Sequence, residues 1–593
     1  MRHVLATPGL DYFRTTHLFF PFGAPIANHP HTALPALVAA TVLKRASAVA
    51  ALNVLLLTSV FLNMAVMYAL AWTLTGHRRA SILAGIVFGT SPYLAAQLLG
   101  HFDLMAAWVL PAFALVLGRA VKQRSAIAAA TAGAIVGAAA YIAYYYVVYL
   151  LLFGTVYLTA WSDAVRVGFV RRALTPGARR VRRGALILCG LLCAVAMWIV
   201  LTGGATVSVG PMALPAHTAQ GALTGMWLSA LVAAAATWRM ALDSGNDSPA
   251  RVRTAVRAGA VIAAVFLVVS APLLREAARL IAAGEYSTQV YNWRSAPRGI
   301  DLLAPLLGPP RHPLVRDAVR QAYSALHQDE IEAVGWIGVV PMLLLLAGRP
   351  SRDGDGGERR AWQAAGAIFA LWAVGPFLTI GGFDIGLKMP QTLARFVPLV
   401  ANARMPGRAI VGVFMVLGVL LARRLARSTG WLARPAIQWA IIALVAFEYL
   451  DAPVPMTPLD APQIYRQLAE APDGALCEVP LGIGDGLSKG IGSQERRVLY
   501  YATIHEHPLV GGYLGRMPRE AAAKYGQMPV VASLLALSDG RSADPPRAGE
   551  RPPCLYLMVH RAAASPALRA YVEQLAGDRL ASDEERDLYR LRP

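Results

Sequence analysis

From Ser47 to Thr75 the chain runs for twenty-nine residues without a charged side chain. A hydrocarbon core about 30 Å thick is crossed by roughly 20 apolar residues in helix, and a charge at its centre is costly, so this stretch reads as a membrane span. Eleven further runs meet or approach the same description: residues 80–99, 104–118, 126–140, 142–161, 185–201, 223–238 and 258–274, then, beyond a long polar interval, 334–346, 362–380, 410–422 and 436–450. Several fall short of a full crossing and borrow flanking residues. The expected fold is an α-helical polytopic membrane protein of about twelve transmembrane helices. Charged residues make up 15% of the chain and apolar residues 56%. A soluble chain carries about 25% charge, so a single soluble globule is excluded.

A net charge of +20 first suggests a nucleic-acid or anionic-membrane partner. Its distribution decides between them. Residues 452–593 hold 16 basic and 17 acidic side chains, so the excess, 39 against 18, lies in residues 1–451 with nearly every long apolar run. Alternate loops share it unequally: those at 77–79, 119–124, 163–183, 239–257, 349–360 and 423–434 carry 24 basic and 6 acidic residues. By the positive-inside rule these loops are cytoplasmic. The outward set is residues 1–46, the tip at His101 and Asp103, an uncharged loop around Pro211 and His217, residues 275–332 and 382–408, and everything from 452. Lys44 and Arg45, near the first span on its outer side, stand against the scheme. The charge is thus mainly a topology signal, and no nucleic-acid partner is implied.

Residues 1–46 lack the basic start and apolar stretch of a signal peptide, because Arg2, Asp11 and Arg14 interrupt them. The expectation is that a transmembrane helix precedes Met1, with residues 1–46 a partial first outer loop. Residues 47–451 are then the membrane domain and 452–593 an external α/β domain, entered through the proline-rich DAPVPMTPLDAP. Strand-like runs at 475–481, 509–513 and 554–559 mix there with helical patterns at 463–471, 530–537 and 566–575.

Few motifs carry chemistry. Cys189 and Cys193 sit inside a span and suit packing, whereas Cys477 and Cys554 lie on the outer side, where oxidation is permitted. Spacing alone leaves open whether these two meet. GIGDG at 482–486 follows a strand but matches no phosphate-loop pattern, and reads as a mobile external loop. His505-Glu506-His507 offers two metal ligands at most, so a structural role is preferred. Asp103 and His101, in GHFDLM between two apolar runs, are the informative pair: ionisable groups beside hydrocarbon are costly unless they serve a site or find a partner. Asp103 also suits an N-cap for the helix running into Leu110. The outer loops add Arg294, Arg298 and Arg311, then Lys388, Arg395, Arg404 and Arg408. Arginine favours bidentate phosphate contact, although basic residues at this depth also simply touch lipid.

Five stretches carry a resemblance: LFFPFGAPIANHPHTALPA (18–36), FGTSPYLAAQLLGHFDLMAAWVLP (88–111), IDLLAPLLGPPRHPL (300–314), GPFLTIGG with VPLVANARMPGR (397–408), and ATIHEHPLVGGYLGRMPR (502–519). The pattern resembles bacterial polytopic proteins of the GT-C glycosyltransferase superfamily. Such enzymes take a sugar from a polyprenyl-phosphate donor at the outer membrane face and pass it to a lipid, glycan or protein acceptor. The resemblance therefore implies a bacterial inner-membrane, multi-pass glycosyltransferase with an envelope glycan or lipid acceptor and the site where spans meet outer loops. A carboxylate serves as general base and basic groups hold the departing phosphate.

The family's catalytic carboxylate usually lies in the first outer loop, and this chain begins inside that loop. Asp11 is the one acidic residue there. Asp103 is the best second carboxylate, with His101 beside it; Arg298, Arg311, Arg404 and Arg408 are the candidates for the donor phosphate. His29, His31 and His101 are candidates to assist or to bind a divalent metal ion. A non-catalytic or transport protein of envelope glycolipid assembly is the alternative, and would need no base.

Overall fold

The computed structural model describes residues 1–7, 9–27, 32–209, 212–243, 249–286, 297–347, 356–397, 400–454, 456–486, 490–495, 497–518, 520–547 and 549–592. Each of the twelve apolar runs is helical in whole or in part. Among the described residues, six helices are both long and apolar enough to cross a membrane: Ala48–Thr75, Phe102–Lys122, Tyr144–Ser162, Pro176–Thr202, Pro249–Ala282 and Pro406–Ala426. The others fall short for local reasons. Residues 80–99, for example, break after Thr90, where the Ser91 hydroxyl accepts from the Leu94 N–H and Pro92 opens a new helix, Pro92–Gln97.

Two compact units emerge: Asn53–Val269 with Val290–Pro455, and Met1–Leu52 with Ser270–Gln289 and Met456–Pro593. The first holds most of the apolar helices. Close approach in it relies on small residues: a Cβ on Gly133 would lie 2.6 Å from the Ile262 carbonyl oxygen, and one on Gly137 2.5 Å from a Val269 methyl. This is small-residue packing of the kind that joins helices where lipid supplies no hydrophobic drive.

Contacts between distant loops of this unit sort by the alternation read from the charges. Glu358 pairs with Lys122 and Arg423, Asp163 with Arg360, and Arg79 donates to Gln438, all in or beside the basic loops. The ladder between Arg166–Arg171 and Trp238–Asp243 joins two more of them. At the opposite helix ends, Arg311 pairs with Asp451, Arg408 with Glu332, and Trp227 donates to the Ile385 carbonyl.

In the second unit a four-stranded sheet runs in the order Ala576–Ser582, Arg586–Leu591, Tyr556–His560, Leu476–Val479, with the last two parallel and the others antiparallel. Both faces are covered. Cys477, Val479, Leu557 and Val559 pack towards helices Pro529–Ser538 and Pro566–Leu575. Leu476, Tyr556 and Met558 pack towards Gln463–Ala469 and Val498–His505. Burial on both sides explains why these strands read as continuous apolar runs. Cys477 and Cys554 form a disulfide, with their Cα atoms 5.8 Å apart. Gly482–Asp485, expected as a mobile loop, is instead the middle strand of a three-stranded sheet, between Ile491–Gly492 and Gly512–Leu514. Its glycines serve close approach there: a Cβ on Gly482 would meet Gln494 at 2.9 Å.

The N-terminal segment is built into this unit. Leu509 N–H donates to the His17 carbonyl, and Phe19 and Phe20 N–H donate to Gly511 and Leu509. Phe19 is fully buried in the same core, and the Tyr525 hydroxyl donates to the Phe20 carbonyl.

Candidate functional site

In the first unit three of the residues singled out from sequence converge. His101 caps a single 3-10 turn, Phe102–Met105, whose first residues carry Asp103; the α-helix itself starts only at Val109. Asp103 is therefore in the first turn rather than at the cap. Two side chains from other helices pin the turn: Tyr146 OH donates to the Leu104 carbonyl, and Asn63 to that of Met105 at 2.8 Å. The start of Tyr144–Ser162 and the middle of Ala48–Thr75 thus fix where the carboxylate sits.

Glu332 completes the group. Asp329 accepts from the N–H groups of Ile331 and Glu332 at 2.7 and 2.9 Å, a side-chain turn that presents the glutamate, while Gln97 donates to the Ile331 carbonyl at 3.0 Å. Gly407 lets the next chain approach, since a Cβ there would lie 2.0 Å from the Glu332 carbonyl oxygen. Arg408 then faces Glu332 in a bidentate pair, Nε to Oε2 at 2.8 Å and Nη2 to Oε1. Its guanidinium lies 4.5 Å over the Tyr145 ring, and Tyr145 OH accepts from the Met405 N–H at 3.2 Å. His101 Nε2 is 3.4 Å from Glu332 Oε1.

Burial, then the Arg408 cation, hold the His101 imidazole below its ordinary value, so it is neutral near pH 7. Asp103 lies within electrostatic reach of both His101 and Arg408. Tyr93, Tyr146 and Tyr149 wall the group with buried rings, and Tyr145 is half-buried beside them. The arrangement brings a carboxylate, a neutral imidazole and a neutralised arginine to one end of the helices. It is chemically equipped for proton transfer.

The other candidates lie elsewhere. Arg311, also buried, donates to Asp451 at 2.7 Å and ties its loop to the end of Pro435–Glu448. Arg298 is exposed, with no ion-pair partner among the described residues, and Arg404 is half-buried. Asp11 belongs to the second unit, exposed on the wall of a half-open cavity that Arg14, Ile26 and Ala33 also line, and its Oδ1 accepts from the Phe13 N–H. His29, His31 and Arg294 lie outside the described residues. Among the described residues no three His, Cys, Asp or Glu side chains gather as a metal site. His505 and His507 are buried: His507 faces the Gly474 and Leu468 carbonyls, and burial pushes His505 down to about 3.

Two residues escaped the sequence reading. Glu332 stands among Asp329 and Glu330, and nothing in its spacing distinguishes it. Asp301, fully buried, accepts from the N–H groups of Leu303, Gly381 and Gly382 and holds two loops together. A lone acid inside the apolar stretch IDLLAPLL was the signal available for it.

No family model and no curated protein matches the chain. Among solved structures it is similar to the archaeal oligosaccharyltransferase AglB from Archaeoglobus fulgidus in complex with an inhibitory peptide and a dolichol-phosphate, at TM-score 0.38 and 10% identity over 97% of this chain and 67% of that one. The Archaeoglobus fulgidus oligosaccharyltransferase tethered to an acceptor peptide matches at TM-score 0.37 and 12% identity, over 100% and 69%.

Proposed function

We propose that this chain is a multi-pass glycosyltransferase of a bacterial inner membrane, with about twelve spans, that moves a sugar from a polyprenyl-phosphate donor to an envelope lipid or glycan. Residues 452–593 are its external domain. The observation that carries this reading is the gathering of His101, Asp103, Glu332 and Arg408 at the helix ends opposite the basic loops. A donor held by a lipid arrives laterally, so it meets a site at that level without leaving the membrane.

Asp103 takes the proton of the acceptor hydroxyl as its oxygen bonds to the anomeric carbon. The bond from that carbon to the phosphate oxygen breaks, and the polyprenyl phosphate leaves with the electron pair. His101, neutral at pH 7, relays or shares that proton. Arg298 is the cation proposed for the leaving phosphate. Arg408 and Arg311 each face a carboxylate and shape their loops.

The test is transfer from a radiolabelled polyprenyl-phosphate sugar to an envelope lipid extract by the full chain in nanodiscs. Asp103→Asn is expected to slow transfer by about 10²–10⁴-fold. Unchanged transfer in that variant would remove Asp103 as base, and absence of transfer in the unaltered protein would overturn the enzyme reading.

A further inference from the structure

The ladder between Arg166–Arg171 and Trp238–Asp243 is a sheet of two strands. Such a pair is marginally stable in water unless something covers it. Residues directly opposed across a ladder share a face, and faces alternate along each strand. Phe169 opposes Met240, and two positions further on Arg171 opposes Trp238, so these four side chains lie on one face. Val170 and Arg239 lie on the other. Phe169, Met240 and Trp238 are 70%, 60% and 45% exposed, and Arg171 is exposed beside them. An aromatic and thioether face with an arginine among its members is left open.

The position of the ladder says what covers it. Trp238 directly follows the last residue of helix Gln220–Thr237, and the Arg172 N–H donates to the Thr237 carbonyl at 2.8 Å, so no spacer separates helix from ladder. That helix has 18 residues and no charge, a length of about 27 Å that nearly matches a hydrocarbon core. It packs along Pro176–Thr202, whose side chains from residue 185 onward are apolar and mostly exposed. A helix that presents apolar residues outward on most sides is suited to lipid rather than water. The ladder therefore starts where the uncharged surface ends, at headgroup level. Residues 164–183 add seven arginines and no acid, among them the exposed Arg179 and Arg180. An acidic protein would answer that charge but would not account for open aromatic side chains at this depth, whereas an anionic lipid surface answers both.

We infer that this ladder lies in the headgroup layer and binds anionic phospholipid. Phe169, Met240 and Trp238 enter the acyl-chain boundary, while Arg171, Arg179 and Arg180 hold headgroup phosphates. The contact is independent of the transferase reading; which leaflet it uses rests on the topology read from the loop charges.

The test uses the full chain in nanodiscs, with Cys189 and Cys193 replaced by alanine and a nitroxide attached at Met240→Cys or, on the opposite face, at Val170→Cys. Collisions with oxygen, which partitions into lipid, are compared with collisions with a water-soluble nickel chelate. In phosphatidylcholine containing about one third phosphatidylglycerol, the oxygen-to-nickel ratio is expected to be at least threefold higher at Met240 than at Val170. Phosphatidylcholine alone should lower the Met240 ratio at least twofold, as should Arg171→Gln combined with Arg179→Gln, and added salt should act in the same direction. Equal ratios on the two faces would overturn the proposal, and so would a Met240 ratio indifferent to both lipid charge and the arginines. A Met240 label shielded from oxygen and nickel alike would put protein rather than lipid on this face, with the same consequence.

Discussion

Arg408 and Glu332 are 10% and 12% exposed at their side chains, and each satisfies the other's charge. A buried pair of this kind adds little over an apolar pair of equal volume, but removing one partner strands a charge. Arg408→Ala or Glu332→Ala is therefore expected to cost about 3–5 kcal/mol, read as a fall in the midpoint of detergent or urea unfolding. The double replacement Arg408→Met with Glu332→Leu should recover most of that loss; equal loss in all three variants would mean that the pair is not the cause. His101 and Asp103 were legible in the sequence because ionisable groups between apolar runs are expensive and so conspicuous. Glu332 was not, because a carboxylate in a polar interval costs nothing until the fold buries it.

At the scale of elements, the strands of the four-stranded sheet that are buried on both faces, Leu476–Val479 and Tyr556–His560, were visible as apolar runs. Ala576–Ser582 and Arg586–Leu591 were not, since their polar residues hide the alternation. Glu478, His560 and Arg586 stand on neighbouring strands of this sheet, with His560 Nε2 2.6 Å from Glu478 and Nδ1 3.1 Å from Glu495. Burial alone would lower the His560 pKa, but the two carboxylates outweigh it and raise the value. The stabilisation is thus complete below the unfolded value of about 6.5 and is lost as pH rises through the folded one. The thermal midpoint of the unit that holds this sheet, followed in the full chain from pH 6 to 9, should fall with pH, and His560→Gln should flatten the slope. A midpoint that climbs over this range would contradict it. The disulfide closes a loop of 77 residues. Replacing Cys477 and Cys554 together by serine is expected to cost about 2–5 kcal/mol, measured by denaturant unfolding of the oxidised protein and the variant.

For the whole molecule, the charge alternation and the ion pairs between distant loops divide those loops the same way, by independent routes. With Cys189 and Cys193 replaced by alanine, a cysteine at Ser542 should react with a membrane-impermeant maleimide in intact spheroplasts. One at Gln123 should react only after permeabilisation, and the reverse pattern would invert the topology. The attachment of residues 17–20 to Leu509 and Gly511 had no local signature, because pairing across most of a chain leaves no periodicity in either partner. That attachment also sets a clock. Phe20 and Tyr525, joined by a hydrogen bond, are 505 residues apart. At about 5–20 residues per second of synthesis, the segment around Phe20 waits roughly 25–100 seconds for its partner. Throughout that interval Phe19, later fully enclosed, is an uncovered aromatic side chain that folding helpers have time to find.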